Sequence, residues 1–307
     1  MNLEKYLIVV VGPTAIGKTS KAIQIAEHYN CEILSCDSRQ FYREMNIGTA
    51  VPSEEELQAA KHHFIHHKSI NDRYTVGDFE REAISTLDEL YKTSDYAVMV
   101  GGSGLYVEAV LYGMDEFPEI DIQLRNSIRE NYENLGIGYL QDNLKKLDPV
   151  QYEVIEKENP QRLMRALEVC MQTGLPYSGF LTKNTKKRNF IPIVIGLEGE
   201  RSQIYNRINL RVDTMLQEGL LDEVKSLVEF KDNNALQTVG YKEIFAFLAD
   251  EYSWEFAVET IKRNTRRYAK RQLTWFKKND YTRWFDYNES IENILNYIKS
   301  KKTETEI

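Results

Sequence analysis

A chain of 307 residues, 42% apolar and 28% charged, has the composition of a folded protein rather than a disordered one, and is long enough for about two domains. Its formal net charge of −8 argues against a general nucleic-acid coat but leaves a local basic surface open. Cys31, Cys36 and Cys170 form neither a CxxC pair nor an even-numbered framework, which excludes a disulfide scaffold, and the longest apolar runs fall far short of a membrane span or leader core, so the cytoplasm is the expected compartment.

Residues 6–11, YLIVVV, read as a buried strand that runs into "GPTAIGKTS". Gly12, Pro13, Thr14, Ala15, Ile16, Gly17, Lys18 and Thr19 fit G-x-x-x-x-G-K-[ST] in full, after a strand and before a helix predicted over 18–29, the context that motif requires. Inward backbone N–H groups make an anion cradle, Lys18 adds a mobile cation, and Thr19 can hold a magnesium ion bridging phosphates. A second strand over 32–36 delivers Asp37 just past its carboxyl end, where open α/β folds place ligands, although a helix N-cap or turn reading of Asp37 stays open. The Arg39-Gln40 that follows suits a solvated loop as well as recognition.

"HHFIHH" holds His62, His63, His66 and His67, which on a helix would give i, i+4 pairs compatible with a metal; without a flanking cysteine or HExxH glutamate, loop or capping histidines are expected. A helix over 77–92, with Ala83, Leu87, Leu90 and Tyr91 on one face, precedes a strand over 96–100. That strand ends in "GGSGLY" rather than in the aspartate a nucleotide hydrolase would use for magnesium. The loop opens a helix over 105–112; its Ser103 is in reach of a metal or phosphate, and a packing turn is the alternative.

From 117 to 190 no strand candidate occurs, and the segment reads as several helices punctuated by glycine and proline. The α/β rhythm resumes with a strand over 191–197, so the block is expected as an insertion into a core formed by 1–116 and 191–307. Helices follow over 203–230, 241–250, 254–278 and 291–299, before a polar tail expected to fray. The run 262–278 carries eight Lys and Arg and no acid; without it the chain would carry −16. Six of its cations recur in pairs every four residues as one stripe, opposite Ile261, Thr265, Tyr268, Gln272 and Trp275, and a phosphodiester backbone fits the stripe better than a mixed-sign solvated face.

Taken in order, "GPTAIGKT", "DSRQFY" with its extension to "NIGTAVPS", "YTVGDF", "GGSGLY", "DPVQYEVIEKENPQRLMRALEV", "RVDTMLQEGLLDEV", "QTVGYKE" and "RRYAKRQLTWFKK" resemble the tRNA dimethylallyltransferase (tRNA isopentenyltransferase) family over nearly the whole chain. Ser103 stands where the family usually has threonine, His66 where it carries aspartate, and Glu158-Asn159-Pro160 where Asn-Asp is commoner. The resemblance implies an α/β fold, a P-loop NTPase-like parallel sheet core with an all-helical insertion that grips the anticodon arm. It implies transfer of a dimethylallyl group from dimethylallyl diphosphate to N6 of the adenosine 3′ of the anticodon in tRNA, with Mg2+ as cofactor and no membrane partner, by a monomer.

On that reading Asp37 is the general base, and Lys18, the loop amides, Arg211 and a magnesium near Thr19 and Ser103 hold the leaving diphosphate. The family places RNA contacts at Asp37, Ser38, Arg39 and Gln40, at Gln161, Arg162, Leu163, Met164 and Arg165 in the insertion, and at Ser103 and Arg125. Two rivals remain from the residues alone: a small-molecule or nucleoside kinase, which leaves the basic stripe unexplained, and a non-catalytic RNA-binding protein, which leaves the phosphate loop unexplained.

Overall fold

The continuous apolar run of the first strand has a direct structural cause. In the computed structural model, which describes residues 4–182 and 185–305 and side chains through 302, β1 (Tyr6–Val11) is buried along its whole length. Tyr6, Ile8 and Val10 face one core, Leu7, Val9 and Val11 the other, as the two-residue period of a strand requires when helices cover both faces. The chain divides into two units, Met1–Tyr112 with Lys187–Ile307, and Gly113–Lys186.

The first unit begins with β1, α1 (Lys18–Tyr29), β2 (Ile33–Ser35), α2 (Glu54–Ala59), β3 (His62–His63), α3 (Val76–Leu90), β4 (Tyr96–Val100) and α4 (Gly104–Tyr112). α2 and α3 both start with capping boxes, Ser53 with Glu56 and Thr75 with Asp78, which satisfy the first amides of each helix. The second unit holds α5 (Ile122–Leu135), α6 (Ile137–Leu147), α7 (Pro149–Val154) and α8 (Pro160–Thr173), packed on Ile128, Leu140, Leu144, Leu163, Ala166, Leu167 and Cys170. The first unit then continues with β5 (Ile191–Glu198), α9 (Arg201–Gln217), α10 (Leu220–Lys225), α11 (Tyr241–Leu248), α12 (Trp254–Phe276), β6 (Arg283–Asp286) and α13 (Ile291–Thr305).

The six strands form one parallel sheet in the order β3-β2-β4-β1-β5-β6. Because every strand runs the same way, the loops after β1, β2 and β4 emerge together at one edge, which places the phosphate loop, Asp37 and "GGSGLY" side by side. No helix among the described residues is long and apolar enough to cross a membrane.

Several expectations are corrected. His62 and His63, expected in a loop or as capping residues, form a short edge strand with Ile33 opposite His62. The helix expected over 203–230 breaks after Gln217 because Gly219 takes φ 102°, and restarts as α10. Between the helices expected over 254–278 and 291–299, Arg283–Asp286 form β6 at the sheet edge, a strand too short to announce itself. The second unit ends before the expected residue 190: Arg188 donates to Glu80 at 2.8 Å and to the Ala109 carbonyl at 2.7 Å, and Phe190 is buried in the core of the first unit. The last helix reaches Thr305, and the tip of the tail expected to fray, residues 306 and 307, lies outside the described residues.

Candidate active site

The loop after β1 is built on three residues with positive φ, Gly12 at 147°, Ala15 at 64° and Gly17 at 101°. A Cβ on Gly12 would also sit 2.6 Å from the Leu197 carbonyl oxygen of β5, so only glycine fits there. These positive-φ positions turn the chain sharply into the start of α1, whose first amides and dipole make the loop a cradle for an anion. Lys18 arches across it, Nζ donating to the Pro13 carbonyl at 2.8 Å. Burial pushes the Lys18 ammonium down to about 8, Arg211 adds to that, and Asp37 opposes it.

α9 supplies two guanidinium groups from one face, four residues apart. Arg211 Nη1 donates to Thr14 Oγ1 at 3.1 Å, and Arg207 Nε to the Ala15 carbonyl at 2.7 Å. Burial holds Arg211 below its ordinary range, with Asp37 and Glu56 opposing. Arg211 was expected at the diphosphate; Arg207 was not, and its only signal in the sequence is that i, i+4 spacing.

Asp37 follows β2 and Cys36. Its Oδ1 accepts from the Arg39 amide at 3.0 Å and its carbonyl from the Gln40 amide at 3.2 Å, so it closes a turn and caps no helix. Among the described residues its Oδ2 accepts no hydrogen bond, while Lys18 and Arg211 both feel its charge. Turn geometry and availability for chemistry therefore coexist in one carboxylate, one oxygen for each.

The Asp37 turn is held from several sides. The Ser38 amide and hydroxyl meet Ser103 Oγ at 3.1 and 3.2 Å, and Tyr268 of α12 hydrogen-bonds the same serine. Arg39 donates to the Asn234 carbonyl at 3.1 Å. Gln40 accepts from Ser35 and donates to the carbonyls of Thr49 and Ala50 at 3.2 and 3.0 Å. The segment it grips is itself fixed by Glu223 of α10, whose carboxylate accepts from the amides of Asn46, Ile47 and Gly48 at 2.7–3.0 Å and from the Tyr241 hydroxyl. Glu223 is a support that no motif in the sequence flags.

Magnesium suits this donor set. Among the described residues no three His, Cys, Asp or Glu side chains converge to cage a metal, and the Thr19 hydroxyl, in the first turn of α1, has no hydrogen-bond partner. Mg2+ characteristically takes one or two protein oxygens and completes its shell with phosphate and water. The histidine cluster is not such a site: His62 Nδ1 donates to the Ala60 carbonyl at 2.7 Å, His63 faces Glu32, and His67 lies among the rings of Phe41, Phe64 and Tyr74, where burial pushes it down to about 4.

The stripe on α12 is smaller than its eight cations suggest. Lys262 pairs with Asp213, Lys277 with Glu198, and Arg266 binds Asn209, while Arg263, Arg267, Lys270, Arg271 and Lys278 stay exposed with no acidic partner among the described residues.

In the second unit Gln161 and Arg162 are exposed, Arg162 pairing with Glu156 at 3.2 Å, and Arg125 and Arg165 share Glu168 at 2.9 and 3.3 Å. Met164 packs against the core of that unit, and the expectation for Leu163 is corrected: its side chain is 0% exposed and serves that core, not an RNA surface.

A model of the family described as IPP transferase matches residues 40–279. The tRNA dimethylallyltransferase of Flavobacterium johnsoniae is 56% identical over 300 residues, 96% of this chain and 97% of the relative, and that of Christiangramia forsetii 52% over 299 residues, 97% and 99%. Among solved structures, the full-length tRNA isopentenylpyrophosphate transferase of Bacillus halodurans superposes with a TM-score of 0.73 at 38% identity, covering 98% of this chain and 97% of that one. A eukaryotic dimethylallyltransferase acting on tRNA gives 0.78 at 25% identity, covering 93% and 74%.

Proposed function

The chain belongs to the IPP transferase family, and from that membership we propose that it transfers a dimethylallyl group from dimethylallyl diphosphate to N6 of the adenosine immediately 3′ of the anticodon in tRNA, acting as a cytoplasmic monomer. The observation that carries the reading is one carboxylate oxygen of Asp37, without a hydrogen bond among the described residues, beside an anion cradle ringed by Lys18 and Arg211. A kinase needs the cradle and can use such a carboxylate, but it leaves the basic stripe of α12 unexplained, no magnesium aspartate follows β4, and the relatives are prenyltransferases.

An adenine amine is a poor nucleophile because its lone pair is delocalised into the ring, and it becomes acidic as the new C–N bond forms. Asp37 Oδ2 takes that proton, a contribution of about 10²- to 10⁴-fold. As the allylic C–O bond breaks, charge accumulates on the diphosphate, where the loop amides, Lys18 and Arg211 stabilise it without reorganising. Thr19, with Ser103 as a second candidate oxygen, would hold Mg2+, which when bound would supply further charge neutralisation at the leaving group. The base is unstacked to reach Asp37, at a cost of a few kcal/mol that is lowest in a loop. Ser38, Arg39 and Gln40 hold it and its neighbours. Arg125, Gln161, Arg162, Met164 and Arg165 serve the anticodon arm, and the exposed cations of α12 take backbone phosphates.

The test is incubation with labelled dimethylallyl diphosphate, magnesium and unmodified tRNA. Label is expected in the RNA; no incorporation with several tRNAs, together with phosphate transfer from labelled ATP to a small acceptor, would overturn the reading in favour of a kinase.

A further inference from the structure

We propose that Gln272 is a positioning residue that sets the diphosphate loop in register with the acceptor turn, an inference that rests on the prenyl-transfer reading above. Gln272 is 5% exposed on α12, on the face away from the exposed cations. Its Oε1 accepts from the Thr14 amide at 2.8 Å and its Nε2 donates to the Gly102 carbonyl at 2.9 Å. A backbone N–H can only donate and a backbone carbonyl can only accept, so the two bonds together fix which way the amide points. Rotated by half a turn, it would set oxygen against oxygen and N–H against N–H.

Each of its two partners belongs to one half of the reaction. Thr14 lies in the diphosphate loop, next to left-handed Ala15, and its hydroxyl is held from the other side by Arg211. Gly102 precedes Ser103, the serine that binds the Ser38 amide beside Asp37. Gly102 has no side chain because Gln272 occupies that place: a Cβ there would run into the Gln272 amide. The same helix touches the acceptor side twice more, Tyr268 through Ser103 one turn earlier and Trp275 against Gly104 three residues later.

A single buried amide thus spans the donor and acceptor loops, while α12 bears the basic stripe on its exposed side. Transfer demands that the allylic carbon and the adenine nitrogen meet at about 3–3.5 Å in line, and small errors in that geometry cost rate rather than binding.

The expected signature is a split between turnover and binding. Gln272→Met keeps the volume and unbranched shape but can make neither bond; it should lower kcat about 10- to 100-fold while leaving KM for tRNA and the calorimetric affinity for inorganic pyrophosphate within about threefold. If Gln272→Met does not fold, Gln272→Glu serves: as a carboxylate it keeps the acceptor for Thr14, loses the donor to Gly102 and adds a negative charge beside the diphosphate loop, so it too should lower kcat with KM for tRNA held. Turnover equal to wild type in the folded variant, or a loss carried wholly by KM for tRNA, overturns the proposal. An inactive wild-type protein in the same assay instead overturns the prenyl-transfer reading, so the two failures are told apart.

Discussion

In the loop after β1, Gly12, Ala15 and Gly17 all stand at positive φ, whereas none of Gly101, Gly102 and Gly104 in the loop after β4 does. The second loop is instead crowded: a Cβ on Gly101 would run into the Cys36 carbonyl, on Gly102 into Gln272, and on Gly104 into Trp275. One glycine-rich loop uses the residue for backbone conformation and makes a nest for an anion; the other uses it for close approach and clamps the Asp37 turn and α12 together. The letters look alike in sequence. Their physical demands differ, and so should the consequences of breaking them.

The largest effect is expected where the clamped turn presents its chemistry. If the second loop exists to hold Asp37 in place, removing the carboxylate should strike the chemical step and spare the RNA. Asp37→Ala is expected to lower single-turnover transfer by about 10²- to 10⁴-fold, the range for losing a general base, with tRNA affinity by filter binding changed less than about threefold. Near-wild-type turnover would remove Asp37 from the base role.

The next test separates the two kinds of glycine directly. Gly101→Ala places a methyl group against the backbone carbonyl of Cys36, which no side-chain rotation relieves, so chemical denaturation should show a loss of about 3 kcal/mol. Gly17→Ala has room, its nearest neighbour being Arg207 Nη2 at 3.8 Å, but must hold φ near 101°. The cost there is about 1–2 kcal/mol of backbone strain, and it should surface as weaker pyrophosphate binding. Equal stability losses with equal binding losses would erase the distinction.

How much of this was legible beforehand follows the same division. The phosphate loop after β1 was readable letter by letter because its backbone conformation and its charge both demand particular residues, Gly12, Gly17, Lys18 and Thr19, at fixed spacing. Asp37 was placed by the rule that ligands gather at carboxyl strand ends, although its turn could not be told from a cap. Gln272, Arg207 and Glu223 were not legible as site residues, because each acts on backbone atoms 170 or more positions away, as in Gln272 with Gly102, and no local pattern encodes such a partner. His62 and His63 were expected in a loop, and two residues are too few for a period to announce the edge strand that pairing with β2 makes of them.

The subtlest expected effect concerns the charge of the first loop alone. Burial, with Arg211 beside it, leaves the Lys18 ammonium of the free protein at about 8, so raising the pH through that value strips the proton that attracts the diphosphate. kcat/KM for the prenyl donor should therefore fall on the alkaline side, approaching tenfold per pH unit above about 8. Bound diphosphate favours the charged amine, so the corresponding limb in kcat should lie at higher pH. Arg211→Gln takes away the neighbouring positive charge and should move the kcat/KM limb upward. Asp37 stabilises the ammonium, so its loss should move the limb downward in whatever activity remains. Lys18→Arg, charged throughout, should abolish the limb even as its different geometry lowers the rate. A limb at the same pH in Arg211→Gln would assign the ionisation to another group, and the first loop would then owe its anion affinity to its amides more than to Lys18.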